Sequence, residues 1–265
     1  MNRELVNKMP GRWKKTSFST TIILVLVATL LVHGLQRSEL TITRLTDGIW
    51  RLGDFITQAF PPDFSRITNI LIASFETFEI ALIGTIFGAL LSVPLGVLAA
   101  RNTTPHKSVY FIARGIISFL RAIPDLVWGL IFVVTIGLGP APGIFAITVD
   151  VIGFCGRFFA ERIEEIDSGP MDSLKVSGAS KLAIVTGAIL PATLPSFIAT
   201  CLFSLEQSVR SAIILGLVGA GGIGVELQTS MQLFRFKEAL TIILIIFAIV
   251  LGVERVSAYF RSKII

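Results

Sequence analysis

Asp172-Ser-Leu-Lys-Val-Ser-Gly178-Ala-Ser180, followed by Leu190-Pro191, is a short polar stretch set between long apolar segments. Its composition suits a compact amphipathic helix in the aqueous phase. Gly178 stands where a helix is commonly closed, because glycine accepts the left-handed conformation found just past a helix end. A polar helix between bilayer-bound segments reads as a lever and not as an anchor. It offers a surface on which a soluble partner can push.

The rest of the chain supplies the bilayer. Of its 265 residues, 53% are hydrophobic and only 15% are charged, against about 45–50% and roughly a quarter in soluble domains. A hydrocarbon core about 30 Å thick takes roughly 20 apolar residues per helix, and runs of that length recur between short polar joints. The expected fold class is therefore an all-α integral membrane protein with about six transmembrane helices. The formal charge of +5 does not mark a nucleic-acid binder, because the basic residues form no stripe and sit beside apolar runs. They fit orientation by cytoplasmic Lys and Arg. Cys155 and Cys201 lie in apolar runs, and His33 and His106 are far apart, so neither a disulfide framework nor a metal site is expected.

Lys8, Arg12, Lys14 and Lys15 precede a first span, about Ser17 to Leu35, that reads as an uncleaved signal anchor. From Gln36 to Asn69, Arg37, Arg44, Arg51 and Arg66 are balanced by Glu39, Asp47, Asp54 and Asp63, with Trp50 and Phe55 between them. That segment is expected as an amphipathic helix at the outer interface, turning back at Pro61-Pro62. The domain reading is 1–69, anchor helix and outer amphipathic segment, and 70–265, the transmembrane domain.

Span two, about Ile70 to Ala100, carries Gly84, Gly88, Ser92, Gly96 and Ala100 at intervals of four. Such spacing draws one ridge along a helix, and small residues let helices approach in lipid. Packing within the subunit is favoured over dimerisation as its use. After a cytoplasmic turn at Arg101, His106 and Lys107, span three, Val109 to Leu138, is broken at Arg121-Ala-Ile-Pro124-Asp125. Proline opens the backbone ladder there, which membranes tolerate where protein or water satisfies the freed groups. Arg121, Pro124 and Asp125 are accordingly candidates to line a translocation pathway, with Arg121 a counter-charge for an anion.

The turn from Gly137 to Gly143 is expected outside. Span four returns to an inner face marked by Arg157, Glu161, Arg162 and Glu164. Span five runs from about Ala183 to Leu205, the segment from Glu206 to Phe236 reads as irregular, and span six covers about Ala239 to Tyr259. Both termini are then cytoplasmic. Glu206 and Arg210 are expected as an i,i+4 structural pair.

Gly219-Ala-Gly221-Gly222-Ile-Gly224 spells a dinucleotide fingerprint, but that motif needs a preceding strand and an acidic residue about 20 positions on. Here a membrane span follows. Gly219, Gly221 and Gly222 are candidates instead for a loop where backbones cross closely at the pathway, with tight packing as the plain alternative. No Gly-x-x-x-x-Gly-Lys-Ser/Thr phosphate loop occurs, so hydrolysis of ATP by this chain is not expected.

Taken together, these residues resemble the permease family of ABC importers. Its cytoplasmic signature is Glu-Ala-Ala, three residues, Gly, nine residues, Ile-x-Leu-Pro. Asp172-Ser173-Leu174 stands in for the triplet, Gly178 and Leu190-Pro191 match, and Ala188 replaces the Ile. Glu79–Gly88, Leu120–Trp128, Phe158–Asp167 and Gly219–Gln228 extend the resemblance to phosphonate-type permeases. The resemblance implies a type I ABC importer permease fold in a bacterial inner membrane. It implies a homodimer or a heterodimer of permeases, a cytoplasmic ABC ATPase dimer that holds ATP and Mg, and a periplasmic or lipid-anchored substrate-binding protein. The implied cargo is phosphonate or a related phosphorus oxyanion, with methionine or glycine betaine as runner-up solutes. Asp172, Ser173, Leu174, Lys175, Val176, Ser177, Gly178, Ala179 and Ser180 would then dock on the ATPase as the coupling helix. No catalytic residue, cofactor or metal is expected in the chain itself. An ion-coupled secondary carrier and a membrane scaffold are the competing classes.

Overall fold

A computed structural model describes residues 18–38 and 41–264. Lys8, Arg12, Lys14, Lys15 and Glu39 lie outside the described residues. The described elements are helices, and the chain divides into two compact units, Met1–Thr57 and Gln58–Ile265.

In the first unit, α1 (Phe18–Arg37) has twenty residues, is apolar all round and buries none of them within the protein. Such a helix is suited to lipid on every face. α2 (Ile42–Ala59) crosses the unit boundary. Ile42, Leu45, Ile49, Leu52 and Ile56 recur at alternating steps of three and four and form one apolar face, while Arg44, Asp47, Arg51 and Asp54 fall off it. This is the amphipathic helix expected before Pro61-Pro62.

The second unit contains α3 (Ile67–Ala99), α4 (Lys107–Ala122), α5 (Asp125–Ile136), α6 (Pro140–Glu164), α7 (Ser168–Val176), α8 (Lys181–Gly216), α9 (Ile223–Gln232) and α10 (Phe236–Ile264). With α1, the helices α3, α6, α8 and α10 are long and apolar enough to cross a membrane. α4 and α5 make a sixth candidate, bent by 86° at the Pro124 break. Span five is longer than expected. α8 runs on through Glu206 and Arg210 to Gly216, so the irregular part is confined to Leu217–Gly222 and α9 follows it.

The core is built on the ridge of α3. A Cβ on Gly84 would lie 2.7 Å from Ile147, and one on Gly96 would lie 2.8 Å from Phe159, with Gly88 facing Val151 between them. The register is constant, so α3 and α6 run parallel in close contact. Ser92 donates its hydroxyl to Gly88 O at 2.7 Å and reaches Val151 O at 3.3 Å. The small-residue face is therefore spent inside the subunit, where close van der Waals packing replaces the hydrophobic drive that lipid removes. α8 completes the core through Phe197, stacked on Phe159 with centroids 3.9 Å apart, and through a Thr85–Ser208 hydroxyl bond of 2.9 Å.

Polar ties fix the two ends. At one end Glu164 of α6 accepts from the Arg101 amide at 2.8 Å and from Arg114 at 3.0 Å. At the other, Arg66 bridges Glu226 (3.2 Å) and Glu238 (3.4 Å), joining α3 to α9 and α10. The sequence balances Arg66 locally with Asp63; in the fold its partners come from distant helices.

Candidate functional site

The polar stretch forms a helix that begins earlier than its sequence suggests. Asp167 caps α7 by accepting the Gly169 amide at 3.2 Å, and Pro170 sits in the first turn, where a missing N–H costs nothing. The helix ends at Val176. Gly178, with φ of 78°, closes it: its amide donates to Lys175 O and the Ala179 amide to Leu174 O, both at 3.0 Å. These two bonds make the glycine-dependent helix stop in which the reversed residue releases two carbonyls from solvent. Ser177–Ser180 is thus turn, and Ser180 caps α8 by accepting the Ala183 amide at 3.3 Å.

A nine-residue helix is too short to persist by propensity alone, and packing holds this one. Met171 is buried, and Leu174 is half-buried against the foot of α8. The outer face carries Asp172, Ser173, Lys175, Val176 and Ser177, all exposed, with Val176 91% exposed. Lys175 Nζ donates to Asp172 Oδ1 at 2.8 Å, and that bond holds the Asp172 carboxyl below the usual carboxylate range. Val176 is thus an exposed apolar side chain among polar neighbours, on a helix pinned from beneath.

Beneath α7 the foot of α8 departs from α-helix. Val185–Ile189 is a π turn, closed by the Leu190 amide on Val185 O. Pro191 has no amide to give and its ring crowds the carbonyl four residues back, at Gly187, so the wider turn relieves the clash. The sequence marks this only through Pro191 with Gly187.

The other candidates fall into two groups. Gly219, Gly221 and Gly222 all have positive φ (94°, 84° and 74°) and make a turn that a side chain would block. A Cβ on Gly222 would strike Thr77 Oγ1, and one on Gly221 would lie 2.8 Å from Glu76 Oε1. Thr77 Oγ1 instead accepts the Ile223 amide at 2.8 Å, and the Gly139 amide donates to Gly219 O at 3.0 Å. The turn is a close backbone crossing, bordered by a cavity of about 320 Å³ that Glu76 and Glu226 also line.

Arg121, Pro124 and Asp125 lie elsewhere, at the break between α4 and α5. Gly153 of α6 admits the Arg121 stem, since a Cβ there would stand 2.8 Å from Arg121 Cγ. Trp128 Nε1 donates at 3.4 Å to Leu120 O, one of the carbonyls that the break frees. The structure thus does not gather the six pathway candidates into one site. The glycine turn meets α3 at Thr77, whereas Arg121 meets α6 next to Val151, which faces Gly88 about three turns further along α3.

Glu206 and Arg210 pair at 2.7 Å as expected, and Arg261 of α10 joins the same carboxylate at 3.4 Å. Their separation of 55 residues hides that third partner from local spacing.

Known proteins resemble this chain in sequence and fold. The chain is 37% identical over 252 residues, 95% of its length and 88% of the relative's, to the putative phosphite transport system permease protein HtxC of Stutzerimonas stutzeri. It is 32% identical over 252 residues to the phosphite transport system permease protein PtxC of the same organism, covering 95% of this chain and 90% of that one. The phosphate-import permease protein PhnE of Mycolicibacterium smegmatis is 37% identical over 210 residues, 79% of this chain and 40% of PhnE. Among solved structures, an inward-facing MetNI methionine ABC transporter chain matches with a TM-score of 0.66 at 23% identity, over 76% of this chain and 99% of that one, and shares the fold. The family model for the binding-protein-dependent transport system inner membrane component matches residues 92–264, which hold the end of α3 and all of α4 to α10. With five to six helices among the described residues long and apolar enough to cross a membrane, the chain belongs to that family of multi-pass inner-membrane transport components.

Proposed function

We propose that this chain is the permease subunit of an ATP-driven importer for phosphonate or a related phosphorus oxyanion such as phosphite or phosphate. The observation that carries the reading is α7, a helix fixed from below by Met171 and Leu174 with its other face free. The chain has no phosphate loop of its own, so work must enter by contact. Residues 172–180 receive it from a cytoplasmic ATPase dimer that binds ATP and Mg, and pass it to the foot of α8. A second copy of the chain completes the pathway, and a binding protein on the far side delivers the cargo. Both termini are cytoplasmic, and 70–265 is the transporting domain, with 1–69 its anchor and outer interfacial segment. The cargo class follows the names of relatives that align over nearly the whole chain.

The test is uptake of radiolabelled phosphite, phosphate and methylphosphonate by the complete complex in proteoliposomes. Uptake that requires ATP on the ATPase side, and is not competed by methionine or glycine betaine, is the expected result. Uptake by this chain alone under an ion gradient would instead make it a secondary carrier.

A further inference from the structure

Asp150 lies near the middle of α6, where a charge in lipid is costly and marks a water-lined or functional position. It stands one helical turn before Gly153 and so shares its face. Gly153 is where the Arg121 stem crosses, with the Arg121 backbone nitrogen 3.4 Å from where a Cβ would be. Asp150 therefore sits beside the break between α4 and α5, within electrostatic range of both Arg121 and Asp125. Asp125 stands at the same break, and its Oδ1 accepts the Leu126 amide at 2.8 Å in the first turn of α5. Among the described residues Arg121 has no ion-pair partner within 4.0 Å, and neither has Asp150. Asp150 is the carboxylate that α6 sets on the face crossed by the Arg121 stem.

A guanidinium matches the oxygen geometry of an oxyanion and binds it as a fork. Unopposed in a low-dielectric pathway, such an arginine would hold the anion strongly. Passage requires a site favourable enough to enter and weak enough to leave. We propose that Asp150 is a specificity-determining residue for transport: its carboxylate offsets the field of Arg121, so that the guanidinium engages a phosphorus oxyanion briefly and releases it. This deepens the oxyanion reading given above and rests on it.

The test uses the complete complex in proteoliposomes, with inorganic phosphite as the probe. Two quantities are measured: phosphite taken up per ATP hydrolysed, and inhibition of uptake by phosphite preloaded on the ATPase side. Asp150→Asn should lower the uptake per ATP about tenfold and let preloaded phosphite inhibit at an about tenfold lower concentration, the size of change that roughly one pairwise interaction supplies. Asp150→Glu should restore both, and adding Arg121→Gln to Asp150→Asn should remove the excess inhibition. Wild-type values for Asp150→Asn overturn the inference. So does a fall of uptake and hydrolysis in step, with their ratio unchanged and no rescue by Asp150→Glu, since that is how a merely structural residue behaves. A wild-type complex that takes up no phosphite, phosphate or methylphosphonate overturns the oxyanion reading itself, and this inference with it, before any variant is made.

Discussion

Leu174 of α7 faces Gly187, the middle residue of the π turn at the foot of α8: a Cβ on Gly187 would lie 3.8 Å from Leu174 Cδ1. The polar helix therefore packs on the irregular turn. That contact meets α8 at the point where its helical hydrogen bonding is already altered. Beyond that point Phe197 stacks on Phe159 of α6, at the ridge contact of Gly96. The path from the polar helix to the core is continuous packing.

Gly178→Val should uncouple the complex. Nothing stands within 4 Å of the site where its Cβ would be, so space is not the obstacle. The obstacle is φ of 78°, which costs a non-glycine residue about 1–3 kcal/mol and a β-branched one at the upper end. The closing bonds to Lys175 O and Leu174 O would open. Expected are loss of uptake with ATP hydrolysis retained, or loss of ATPase binding in a pull-down. Normal uptake per ATP in this variant counts against the coupling role of 172–180.

Gly88→Val should fail on packing, because Val151 and the Thr148 carbonyl occupy the place of the new side chain. Overpacking costs about 1–3 kcal/mol and often more where backbone is the neighbour. Thermal unfolding in detergent should fall by several degrees or folded protein should be lost. Gly115→Val, with nothing within 4 Å of its Cβ position, is the matched control and should not lower the melting temperature.

Glu206→Ala should destabilise the contact of α8 with α10. Its carboxylate is 8% exposed and is shared by Arg210 at 2.7 Å and Arg261 at 3.4 Å. The loss takes the carboxylate partner from Arg261 while Arg210 keeps Glu254 at 3.6 Å and is partly exposed, so the cost stays below the roughly 3–5 kcal/mol of a fully buried pair. A double-mutant cycle with Arg261→Ala, read by thermal unfolding, should show the two changes as strongly non-additive. Simple additivity would remove Arg261 from the group.

The Asp172–Lys175 bond predicts a pH response with a definite sign. The folded carboxyl titrates below its ordinary value because of the Lys175 hydrogen bond. Its contribution is therefore present above the ordinary carboxylate range and lost as the pH falls through the lowered folded value. Both groups are more than half exposed, so the bond is weak and screened by salt. The protection factors of the α7 amides, with the intrinsic pH dependence of exchange divided out, should stay level across neutral pH and fall only in acid, and Asp172→Asn should abolish that acid step.

The parts legible in sequence are those written in short periods. Small residues every fourth position announce the α3 ridge, Pro124 announces the break, and Gly178 with its polar run announces α7. The rest depends on partners far along the chain. Arg66 meets Glu238 across 172 residues, and no local pattern chooses that carboxylate over Asp63. Glycines at 219, 221 and 222 signal an unusual backbone, yet their seat at Thr77 comes from tertiary packing. The continuation of α8 to Gly216 is concealed because Glu206 and Arg210 look like a surface break until Arg261 is folded against them.

Deleting Ala183 tests whether the seat at the π turn transmits motion. Ala183 lies in the regular first turn of α8, before the π turn Val185–Ile189, so the deletion leaves that turn and the apolar span beyond it intact. Each residue in an α-helix turns the chain by about 100°, and the deletion rotates α7 by that amount about α8. Leu174 would leave Gly187, while the caps at Asp167 and Gly178 lie within the moved unit and stay intact. α7 should remain helical and still capture the ATPase, yet uptake per ATP hydrolysed should collapse. Insertion of an alanine in the same turn restores the phase and should rescue it. Full coupling after the deletion would show that α7 drives α8 through some other contact, and that the Leu174–Gly187 seat is incidental.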